Sequence, residues 1–107
     1  DVFKIATPLI SMYKIIDIRH TGSFGERGTK RRENPYRKRI GRTVTDELVN
    51  SSKPGNQLIL QYVTDENGND YSDKFLCCSI LIDKILRGKQ VILETQNTIY
   101  ILEKIDE

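Results

Sequence analysis

A chain of 107 residues, 37% of them hydrophobic and none of them Trp, is expected to form a single domain with one small core of Ile, Leu and Val. Its longest apolar stretch, Phe75 to Ile82, is far shorter than the roughly 20 residues of a membrane-spanning helix, so no membrane partner is expected. The net charge of +2 conceals a segregation: nine basic and two acidic residues lie between Arg19 and Arg42, and the rest of the chain is net acidic.

Met12 is the only methionine, which makes residues 1–11 a candidate N-terminal extension. A strand is expected from Leu9, just after Pro8, to Arg19. Simple alternation puts Tyr13, Ile15 and Asp17 on one face, and Ile16 and Ile18 on the other. Glycines 22, 25 and 28 follow, spaced by three, and residues 20–39 read as one long Gly- and Arg-rich loop. Neither a P-loop nor a dinucleotide fingerprint is present, although successive backbone N–H groups there can form an anion nest. Ile40 to Val49 reads as a second strand, and Asn50 to Asn56 as a turn.

Leu58, Leu60 and Tyr62 alternate with Ile59, Gln61 and Val63 in a third strand, Gln57 to Thr64. Asp65 to Asp70 reads as a hairpin turn around Asn67-Gly68 with type I′ geometry. It imitates an EF-hand loop, but its glycine is misplaced and Leu76 stands where the bidentate Glu belongs. Tyr71 to Arg87 fits two readings. One is a helix over 72–87, capped at Ser72 or Asp73 and stopped at Gly88; the other, favoured by its β-branched content, is a strand. Gln90 to Glu94 and Thr98 to Ile105 form a hairpin across Gln96-Asn97. Together these elements predict a mainly β fold, a small antiparallel barrel or curled sheet of five to six strands with one long basic loop.

The run from Cys78-Ser79 through Gly88 to Thr95-Gln-Asn-Thr-Ile-Tyr-Ile-Leu102 resembles the tail of short proteins of unknown function from Gram-positive bacteria and their phages. That tail pairs a small-polar and apolar strand with a Gly turn and then Thr-x-Asn-Thr-x-Tyr-x-Leu. The resemblance implies β-structure and names no activity. Cys78-Ser79 stands where the tail usually has Thr-Ser.

Cys77 and Cys78 are adjacent, so a disulfide between them is strained, and reduced thiols in a cytoplasmic protein are the expectation. They have no Cys-x-x-Cys spacing and no second ligand pair, so neither a metal nor another cofactor is expected. His20 is the only histidine, and nothing in the sequence fixes a nucleophile or second acid beside it; binding rather than catalysis is expected.

The arginine skew carries the functional reading. Seven of eight Arg lie in the basic window and seven of nine Lys lie outside it. Arg presents a planar fork that matches phosphate oxygens two at a time, whereas Lys is a point charge. Arg19, Arg27, Lys30, Arg31, Arg32, Arg37, Lys38, Arg39 and Arg42 are therefore the candidate phosphate contacts, with Phe24 and Tyr36 as candidate base-stacking platforms. The expected partner is nucleic acid. Two alternatives remain open: a pocket that sequesters a small signalling nucleotide, and salt-bridged self-association in which the window meets the acidic surface of a second copy.

Overall fold

The computed structural model describes residues 11–105, and over them the chain forms a closed antiparallel barrel. Its six strands are β1 (Met12–His20), β2 (Thr43–Thr45), β3 (Gln57–Thr64), β4 (Phe75–Arg87), β5 (Gln90–Thr95) and β6 (Thr98–Ile105). They are arranged in sequence order, and pairing of β1 with β6 closes the ring. Two short helices, α1 (Tyr36–Arg39) and α2 (Asp46–Ser51), complete the secondary structure. The expected strand start at Leu9, the Pro8 boundary and most of the candidate extension lie outside the described residues. None of the described helices is long and apolar enough to cross a membrane.

Period-two alternation builds the interior. Leu58, Leu60 and Tyr62 of β3, Val91 and Leu93 of β5, and Tyr100 and Leu102 of β6 all point inward and are buried. β4 is a strand along its whole length because it serves two neighbours. Phe75 to Ile80 pairs with β3, and Leu81 to Arg87 pairs with β5. A register shift between Leu81 and Asp83 marks the corner at which the sheet turns, as bulges commonly do in small barrels.

Three expectations need correction. First, β1 does not alternate simply. A bulge between Ile15 and Asp17 shifts its phase, so Tyr13, Ile15, Ile18 and His20 are the buried set, while Ile16 and Asp17 are only half-buried. Second, of the expected strand from Ile40 to Val49 only Thr43–Thr45 is a strand; a turn at Ile40 and Gly41 precedes it and α2 follows it. Asp46 and Glu47 favour the positive end of that helix, and Val49 plugs the barrel from it. Lys84 Nζ secures its other end by donating to the carbonyls of Val49, Asn50 and Ser52 at 2.8, 3.1 and 3.0 Å. Third, the Asn67-Gly68 turn is not type I′, which requires positive φ at both residues. Only Gly68 has it, at +84°. Asp65 Oδ1 instead accepts from the backbone N–H groups of Asn67 and Asn69, an Asx-type turn that removes the need for a left-handed Asn.

Candidate anion-binding site

The basic window forms a strap, residues 21–42, that leaves the end of β1 and returns to its middle. The strap is fastened to β1 at two places. At the first, His20 N–H donates to Thr29 O, Gly28 N–H to His20 O, and Arg31 N–H to Ile18 O, all at 2.8–2.9 Å. At the second, Gly41 N–H donates to Ile15 O at 2.8 Å and Ile15 N–H to Arg42 O at 2.9 Å. Between them the β1 bulge turns the half-buried Ile16 and Asp17 away from the core, no backbone bond joins strap to strand, and the strap arches away carrying α1. The glycine loop is held down by close approach: a Cβ on Gly25 would lie 2.9 Å from atoms of the His20 ring. His20 is itself buried, with Nε2 3.8 Å from Glu33 Oε2, and does not line the groove under the arch.

Five of the nine candidate cations are engaged within the chain. Arg19 pairs with Asp17 Oδ2 at 2.8 Å and donates to Gly28 O. Arg27 grips Glu94 of β5 with both arms of its fork, at 2.9 and 2.6 Å. Arg42 reaches Glu66 Oε1 at 2.9 Å and lies over the rings of Tyr62 and Tyr71. Arg31 is the most buried of them, 8% exposed. Its guanidinium donates to Glu33 Oε1, Asn97 O and Thr98 Oγ1 at 2.6, 2.7 and 2.6 Å. Arg39 donates to Tyr100 Oη at 2.7 Å. Thus part of the acidic body is the anion that the arginines meet.

The carboxylates respond accordingly. Glu33 is held below the usual range by its own backbone N–H and by Arg31, and Glu66 by its own backbone N–H and by Arg42. Glu94 is lowered chiefly by the hydrogen bond from Arg27.

Lys30, Arg32, Arg37 and Lys38 are different. All four are exposed, and among the described residues no side-chain hydrogen bond or ion pair engages them. Three of them, Lys30, Arg32 and Arg37, line a groove of about 360 Å³ under the arch, together with Ile16, Asp17, Ile18, Arg31 and Ile40. Asp17 brings little negative charge to it because Arg19 pairs with that carboxylate.

The two candidate platforms are also distinct in role. Tyr36 has the Arg31 and Arg39 guanidinium carbons over its ring, at 3.8 and 4.7 Å, so it is already stacked within the protein. Phe24 is 68% exposed and touches only the edge of this arrangement, with Arg31 5.3 Å from its ring centroid.

Sequence reasoning missed the residues that hold the strap: Glu94, Asn97, Thr98 and Tyr100 from the β5–β6 hairpin, and Glu66 from the turn after β3. The acidic balance outside the window was the signal for Glu94 and Glu66, whereas Asn97, Thr98 and Tyr100 stood in the Thr-x-Asn-Thr-x-Tyr-x-Leu run, which named no role for them. Among the described residues no group of three or more His, Cys, Asp or Glu is placed to hold a metal. No protein-family model matches the chain, and neither a curated protein nor a solved structure is significantly similar to it.

Proposed function

We propose that the protein binds a phosphate-rich anion, nucleic acid first of all, on the strap face formed by Lys30, Arg32, Arg37 and Lys38, with Phe24 as a stacking platform. The observation that carries this is the partition of the basic window. Most of its arginines have partners at hand, yet four neighbouring cations have none, and three of these converge on one groove. Charges kept together without partners repel one another, and an anionic ligand relieves that repulsion. Their exposure suits a backbone-tracking site, in which cations follow successive phosphates and an aromatic takes a base.

A second reading rests on the groove itself. Its volume falls in the range of small-molecule pockets, and Ile16 and Ile40 give it apolar walls. A single nucleotide would lie between those walls with its phosphates on Arg32 and Arg37.

Fluorescence anisotropy with labelled single-stranded oligonucleotides, competed by mononucleotides, tests both. The quadruple variant K30E/R32E/R37E/K38E should lose binding by at least a hundredfold, while R27Q should retain it. Competition by mononucleotides at micromolar concentration favours the pocket; its absence favours the polymer. Equal binding by wild type and the quadruple variant overturns both.

A further inference from the structure

α1 separates two cavities. Arg37 faces the groove, whereas Tyr36 and Arg39, three residues apart and so on one face of the turn, line a second cavity at the mouth of the barrel. This cavity measures about 130 Å³, and its other walls are Cys77, Cys78 and Ser79 of β4 and Thr95, Asn97, Thr98 and Tyr100 of the β5–β6 hairpin.

Three features define its chemistry. Among the five engaged arginines, Arg19, Arg27, Arg31 and Arg42 each have a carboxylate, and Arg39 alone has none. It is half-buried, and its one hydrogen-bond acceptor is the neutral phenol of Tyr100. No carboxylate lines the cavity, and the Cys78 thiol, pushed up to about 11 by burial, adds no negative charge near neutrality. The wall is also rich in donors. Thr98 Oγ1 accepts from Arg31, which leaves its own O–H available to donate, while Tyr100 Oη accepts from Arg39 and is itself hydrogen-bonded to Cys78. Asn97, Ser79 and Tyr36 add further polar groups. A cation beside several hydroxyls, with no acid, is complementary to an oxyanion. Since a water occupies roughly 30 Å³ in the liquid, the cavity has space for one tetrahedral ion and none for a nucleoside.

We infer that the barrel mouth is a second anion site, holding a single phosphate group on Arg39 and Thr98, with Tyr100 fixing the Arg39 guanidinium beside it. The group is either inorganic phosphate or the terminal phosphomonoester of a longer ligand. This site is independent of the strap face, because none of the four unpartnered cations lines it.

Thermal unfolding is measured against inorganic phosphate at constant ionic strength, for wild type, R39Q, Y100F and K30E/R32E/R37E/K38E. Phosphate also stabilises proteins generally through exclusion from their surface, so saturation is the diagnostic. Wild type and the quadruple variant should show a saturable rise in Tm, with the midpoint raised at least tenfold in R39Q and Y100F. Y100F removes one oxygen and keeps the buried ring, so it reports even if R39Q folds poorly. In a second arm, wild type is titrated with one oligonucleotide carrying a 5′-phosphate or a 5′-hydroxyl. Preference for the phosphate, lost in Y100F, identifies the terminal phosphomonoester as the source. A non-saturating rise that is the same in wild type and Y100F, together with no 5′-phosphate preference, overturns the inference. Loss of oligonucleotide binding in the quadruple variant with phosphate saturation intact separates this site from the strap face.

Discussion

Arg31 Nη1 donates to Thr98 Oγ1 at 2.6 Å, joining the middle of the strap to the first residue of β6. The same guanidinium binds Asn97 O and Glu33 and lies over Tyr36. One side chain therefore links the strap, α1 and the β5–β6 hairpin. Replacing it with Ala leaves Glu33 without its guanidinium partner and takes the donor from two hairpin oxygens. Arg31→Ala should destabilise the fold by about 2–4 kcal/mol. Chemical denaturation measures this, with Arg32→Ala as the control that should change stability by no more than about 0.5 kcal/mol.

Gly25 lies against the face of the His20 ring, where an added Cβ would sit at 2.9 Å. Gly25→Ala should therefore cost about 1–3 kcal/mol through overpacking. The cost should largely vanish in a His20→Ala background, because the ring is what the methyl meets. A double-mutant cycle by denaturation checks it, and additivity of the two substitutions would show that the contact does not matter.

The strap should loosen in acid. Glu33, Glu66 and Glu94 all have lowered pKa values in the folded protein. Such groups stabilise the fold above their unfolded value, near 4.3, and lose that contribution as pH falls through the lower folded value. Hydrogen exchange at the Arg31 and Gly41 amides, which fasten the strap to β1, should accelerate below about pH 4 relative to β3 and β5. Uniform acceleration across the barrel would argue against a separate strap unit.

Lys84 Nζ meets three carbonyls at the end of α2. Lys84→Met keeps the stem and removes the donors, so it should cost about 1–2 kcal/mol and expose Val49. Denaturation against wild type is the direct test.

The strands were legible in the sequence wherever one face is buried and the other is not. β3 was legible to the residue, because Leu58, Leu60 and Tyr62 are inside and Gln57 and Gln61 are outside or half-buried. β1 was misread in phase because one bulge changes every later side chain from one face to the other. α2 was missed because six residues carry too short a period to recognise, and its Val49 is explained only by the barrel end it covers. In the basic window, composition located the cations but could not sort them. Arg31 and Arg32 are neighbours in sequence, yet one is buried among four partners and the other is exposed and has none. That difference depends on Thr98 and Asn97, more than sixty residues away.

On the proposed reading, four cations of the strap face, and not all nine, meet the backbone phosphates of a nucleic-acid ligand. The direct measurement is the salt dependence of affinity for a single-stranded oligonucleotide. About 0.7 counterion is released per phosphate contact, so four contacts give a slope of log K against log salt of about −3. R32Q/R37Q should reduce that slope to about −1.4, and R27Q should leave it unchanged. A slope near zero, or one that R32Q/R37Q does not alter, would contradict the account.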